Sequence, residues 1–144
     1  MESTKNEVTD LFWVIAGIAV VWNLMGAAAF LYDATLSAEA IAELPVGQQE
    51  LYANNPWYNK LAYGVATLGG LLGSIGLLMR KKWSIAILLA SLIGVLIWVI
   101  HNLGMTNVLE VMGNKAAALP LVIAAISLYL WYFAKKSARA GILT

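Results

Sequence analysis

"LLGSIGLLMRKKWSIAILLASLIGVLIWVI", residues 71–100, decides the fold. Two apolar runs flank a short basic turn, Arg80-Lys81-Lys82. Followed outward, they extend over about 58–79 and 83–103. Two more runs lie at about 11–32 and 117–134. A bilayer hydrocarbon core of about 30 Å takes about 20 helical residues at about 1.5 Å each. No run carries Asp, Glu, Lys or Arg in its middle. The expectation is an all-α chain: an integral membrane bundle of four transmembrane helices, in one domain over residues 1–144.

Composition narrows the function. The chain is 61% hydrophobic and 12% charged, about half the charge of a soluble domain. A net charge of +1 gives no broad basic field, so no nucleic-acid partner is expected. The absence of cysteine excludes disulfides, thiol catalysis and thiolate metal sites. A single histidine excludes paired-histidine haem ligation within the chain. No metal or cofactor is expected. Ser74, Ser84, Ser91 and Ser127 have no base in sequence reach, and no carboxylate pair stands in a span. The chain therefore reads as non-enzymatic.

The first run is not read as a cleaved signal. Glu2, Glu7 and Asp10 outnumber Lys5 ahead of it, where a signal is basic, and the run is too long. Arg80, Lys81 and Lys82, with Lys135, Lys136 and Arg139 after the fourth run, place those ends in the cytoplasm. Both termini are then cytoplasmic. The outer connections carry Asp33, Glu39, Glu43 and Glu50 against Lys60, and Glu110 against Lys115. Trp13, Trp83, Trp131 and Tyr132 mark one boundary; Tyr32, Trp57 and Tyr58 mark the other.

The outer connections carry helix signals of their own. Ser37 caps "SAEAIAEL", which runs to Pro45. "VGQQELYANNP" is a second short helix, and Asn55-Pro56 starts the next span with proline at its first position. "TNVLEVMG" is a short helix closed by Gly113. Either these elements lie over the outer end as interfacial helices or they are plain connectors.

At helical spacing, each span has a stripe of small or polar side chains. The first gives Phe12, Ala16, Ala19, Asn23, Gly26 and Phe30. The second gives Asn59, Ala62, Ala66, Gly69, Gly73, Gly76 and Arg80. The third gives Ser91, Gly94, Trp98, His101 and Met105, and the fourth Ala117, Pro120, Ala124, Ser127, Trp131 and Ala134. Lipid is as apolar as leucine, so membrane helices associate where small residues let backbones approach. "VVWNLMG" (20–26) also resembles "VIHNLGM" (99–105), a faint internal repeat.

The polar exceptions frame the functional question. Asn23 either bonds a neighbouring helix or orients a bound small molecule. His101 either completes a helix C-terminus or contacts a ligand. Asn23, His101, Asn59, Tyr63, Trp22 and Trp98 are expected to gather toward the outer half. That set allows a shallow pocket for a small neutral solute. It does not supply the deep polar route of an ion or proton-coupled carrier.

Trp22-Asn23 with Gly26, Leu51-Tyr52 leading to Pro56-Trp57, and the glycine-rich run ending "LLMRKKW" resemble a loose group of small bacterial four-helix membrane proteins. Some of that group carry the label sugar transporter. The resemblance implies a bacterial inner-membrane location. It departs from proton-coupled small multidrug transporters, which lie in the same size range, because the first span has no acidic residue within it. Two functions follow. One is a packing partner for other transmembrane helices, as an accessory subunit or a homo-oligomer. The other is an outward-facing binder or carrier of a small neutral solute.

Overall fold

A computed structural model describes residues 8–144. Glu2, Lys5 and Glu7 lie outside the described residues. The helices are α1 (Asp10–Ala34), α2 (Ala38–Ala42), α3 (Val46–Ala53), α4 (Trp57–Leu78), α5 (Trp83–Gly104), α6 (Val108–Met112) and α7 (Ala118–Arg139). A 3-10 turn over Asn114–Ala117 leads into α7. No strand occurs among the described residues. The helices α1, α4, α5 and α7 are long and apolar enough to cross a membrane.

Local chemistry sets the helix ends. The Thr9 hydroxyl accepts from the Phe12 amide at 3.1 Å and caps α1. Ser37 does the same for α2, accepting from Ala40 at 3.1 Å. Gly113 closes α6 at φ 86°, a conformation glycine holds without strain. Pro56 precedes α4 as its cap; it is not the first helical residue. The fourth span also differs from the sequence reading. Hydropathy ended it at residue 134, whereas α7 runs to Arg139 and carries Lys135, Lys136 and Arg139 in its final turns. Cations there complement the negative end of the helix dipole, so the helix continues where the apolar run stops.

The four long helices pack in chain order: α4 against α1 on one side and α5 on the other, and α5 against α7. The α4–α5 seam is the closest. A Cβ on Gly94 would lie 2.8 Å from the Ala62 carbonyl oxygen and 3.0 Å from the Ala66 nitrogen, so backbone meets backbone there. A Cβ on Gly73 would reach Leu88 at 2.7 Å, and one on Gly76 would strike the Trp83 ring. Ala62 and Ala66 are buried along the same line. Ala66 also joins Val95 and Val99 in a core onto which Ala124 of α7 packs.

All four long helices share one core at the basic end. Phe12, Ala16 and Ala19 of α1 share one core with Leu77, Leu88, Leu130 and Ala134. Phe12 stacks on Phe133 with ring centroids 5.7 Å apart. The eighth member is Leu143, which is 2% exposed and lies beyond the apolar runs of the sequence. After α7 the chain turns at Gly141 (φ 80°) and folds back on the α4–α5 turn. The Thr144 amide donates to the Arg80 carbonyl at 2.8 Å, and Arg80 Nε donates to the Ile142 carbonyl at 2.9 Å. Arg80 holds a left-handed φ of 60°.

At the other end α3 lies on α6. A Cβ on Gly47 would come 2.9 Å from Val111. Tyr52 Oη donates to Asp33 Oδ1 at 3.1 Å, tying α3 to the end of α1. The α1–α4 and α5–α7 connections are therefore joined into one cap. Partial burial, then the neighbouring Asp33 carboxylate, pushes the Tyr52 phenol above its ordinary value near 10. Whatever this bond adds to stability is present below pH about 10 and fades as pH rises through the raised value. Tyr52→Phe is expected to leave helicity unchanged and to remove that alkaline loosening, read by hydrogen exchange in α3.

Candidate functional site

Asn23 sits where three spans converge. Its Nδ2 donates to the Ala19 carbonyl one turn earlier, at 2.8 Å. Its Oδ1 presses on Gly70 of α4, where a Cβ would collide with it. Across the same glycine, Ser91 of α5 donates to the Ala66 carbonyl at 2.6 Å. The Asn23 amide thus bonds its own helix and meets α4 by packing; the bond to a neighbouring helix expected from the sequence is not formed. The sequence stripe named Gly69, but a Cβ there would meet Ser91 at an ordinary 3.4 Å; Gly70 makes the closer approach. Gly26, one turn on from Asn23, faces Thr67, and Phe30 covers Gly64.

The expected six-residue cluster separates into parts. Ser91 marks the level of Asn23 on α5, and His101 lies ten residues further on, about 15 Å along the helix. Asn23 is therefore too deep to share a pocket with His101. Trp22 leaves the cluster for a different reason. It is about 100° around α1 from Asn23, and it lines an external groove with Trp13, Gly17 and Met25.

The remaining four stay near the capped end in separate contacts. Tyr63 lies between Phe30 (5.3 Å between centroids) and Trp98 (5.4 Å), forming an aromatic row across α1, α4 and α5. His101 is buried, with Nδ1 3.1 Å from Tyr58 Oη. The sequence reading missed Tyr58 as the partner of His101; Tyr58 stood there only as a boundary aromatic. Asn59 is 2% exposed and donates to Asn55 Oδ1 at 2.6 Å, while its own Oδ1 has no protein partner.

Most other interior polar groups close on their own helix. Ser74 bonds the Gly70 carbonyl at 2.8 Å, and Thr67 the Tyr63 carbonyl at 2.9 Å. Asn102 bonds the Trp98 carbonyl at 2.7 Å. Asn102 is the counterpart of Asn23 in the faint repeat, and both amides return to the carbonyl four residues back. Among the described residues, no group of three or more His, Asp or Glu side chains is placed to hold a metal.

These contacts rank the effects of substitution. Asn23→Ala removes a bond within one helix and is expected to cost about 0.6 kcal/mol, the usual scale for membrane polar contacts. Gly70→Ala pushes on both Asn23 and Ser91, and its expected cost is about 1–3 kcal/mol. Thermal unfolding of both variants in detergent checks this order.

Two grooves open on the outside of the bundle. One, about 490 Å³, lies wholly on α1, lined by Trp13, Val14, Gly17, Ile18, Val21, Trp22 and Met25. Nothing lies within 4 Å of where a Cβ on Gly17 would stand. The other, about 340 Å³, lies between α1 and α4 and is lined by Phe30, Lys60, Leu61, Gly64, Val65 and Leu68. No family model matches the chain, and neither a curated protein nor a solved structure does.

Proposed function

We propose that this chain is a non-enzymatic bacterial inner-membrane subunit that works by packing against another transmembrane helix. That helix belongs either to a second copy or to a larger complex. The basic end faces the cytoplasm and the cap faces outward. One observation carries the reading: the notch at Gly17, walled by Trp13 and Trp22, which the chain's own helices leave unfilled. Small residues flanked by large ones let a second helix approach closely in lipid. Gly26 of α1, the glycines of α4 and Gly94 of α5 meet neighbours within the chain, and Gly104, which has nothing within 4 Å, is the last residue of α5; Gly17 is the open glycine inside a span.

Gly17→Leu tests the reading. It has free space to enter, so helicity and melting temperature are expected to stay at wild-type values. Crosslinked or native-mass-spectrometry oligomer is expected to fall at least tenfold. A wild-type protein that is monomeric in mild detergent and in membranes alike would overturn the proposal.

A carrier of a small neutral solute has one observation in its favour. The buried, unpartnered Asn59 Oδ1 beside Asn55 is an acceptor that a hydroxyl group would satisfy. Under this second reading, Asn59→Leu abolishes solute uptake while Gly17→Leu does not.

A further inference from the structure

We propose that the groove between α1 and α4 is a binding site for one anionic phospholipid, its phosphate on Lys60 and an acyl chain running down the groove. The lining residues of α4 are Lys60, Leu61, Gly64, Val65 and Leu68, which fall on one face of the helix. From Lys60 to Leu68 that face is about 12 Å long. Half of a hydrocarbon core is about 15 Å deep, so the groove matches the reach of one leaflet's chain.

Its polarity is ordered as a lipid is. The single cation stands at the top, in the first turn of α4, and the walls below are aliphatic. Trp57 and Tyr58, exposed beside Lys60, put that turn at headgroup level. Phe30 leans across Gly64, where a Cβ would come 3.1 Å from the ring, so the ring packs close to α4 and forms one wall of the groove. The groove is therefore a slot beside an aromatic wall, suited to a slim chain more than to a helix. Asp33, one turn beyond Phe30, is engaged by Tyr52 at 3.1 Å. Lys60 itself is exposed.

The test is native mass spectrometry of the delipidated full chain with equal phosphatidylglycerol and phosphatidylcholine of identical acyl chains. Wild type is expected to retain one phosphatidylglycerol with about fivefold preference, the ratio that about 1 kcal/mol per lysine near the surface converts to. Lys60→Gln is expected to lose that preference for one bound lipid. Leu68→Trp, at a lipid-facing position, is expected to lower retention of both lipids by filling the slot. Lys81→Gln, at the opposite end, leaves the Lys60-dependent lipid in place. Equal retention of the two lipids by wild type, or the same loss from Lys81→Gln as from Lys60→Gln, would overturn the site. So would a lipid-free dimer protected at the groove.

Discussion

Gly94→Leu is expected to leave no folded protein in detergent at ambient temperature, whereas the same change at Gly17 is expected to leave the fold intact. Both glycines lie within long apolar helices, so helix propensity and hydropathy do not distinguish them. Their surroundings do. At Gly94 even a methyl group would stand 2.8 Å from the Ala62 carbonyl oxygen and 3.0 Å from the Ala66 nitrogen. These are backbone atoms of α4, which have no rotamer to yield. Overpacking costs about 1–3 kcal/mol where side chains can shift. Here two backbones must separate, and with them the polar bond from Ser91 to Ala66. The whole α4–α5 seam opens in consequence, so the expected cost exceeds about 3 kcal/mol. Tryptophan fluorescence and circular dichroism across a detergent melt measure it; a Gly94→Leu protein melting within a few degrees of wild type would refute the argument. Gly94→Ala is expected to fall between the two.

The second large effect is expected from Leu143→Asp. Leu143 is 2% exposed and packs into the core that joins all four long helices. A carboxylate there either enters an apolar site or pulls the tail away, and the second is the less costly outcome. Withdrawing a buried leucine costs about 1.5–3 kcal/mol. The Thr144–Arg80 and Arg80–Ile142 bonds go with it. A spin label at Thr144→Cys is expected to be immobile in the parent and mobile with Leu143→Asp, alongside a lowered melting temperature. Leu143→Met, close in volume, is expected to keep the label immobile. Equal mobility in all three would mean the tail does not hold the basic end.

The spans were legible because membrane thickness imposes a length on any apolar helix, and this chain meets that length four times. The capped end was legible for a related reason: Ser37 and Gly113 announce helix ends through local backbone chemistry. Pro56 was misplaced by one residue, since proline serves both as a cap and as a first residue. The end of α7 was not legible from hydropathy, because the helix continues past the apolar run, where its lysines favour its terminus. The docked tail is five residues of ordinary composition; only Gly141, a helix-ending glycine followed by Ile142 and Leu143, signals it. The functional cluster was the least legible. Distance along a helix separates Asn23 from His101, and one residue of rotation carries Trp22 to another face. Neither shows in a list of polar exceptions.

Arg80 makes the basic turn a place where backbone and side chain pull in opposite directions. Its left-handed φ of 60° is a conformation glycine would adopt freely and that costs an L-residue about 1–2 kcal/mol. Its guanidinium recovers about 1.5–3 kcal/mol through a charge-assisted bond to the tail. The two contributions nearly cancel in total stability, yet they act on different parts of the molecule. A glycine at this position would produce a more relaxed turn and a looser tail, with a melting temperature close to the original. At this turn, an unchanged global stability would conceal a change in how firmly α7 is held.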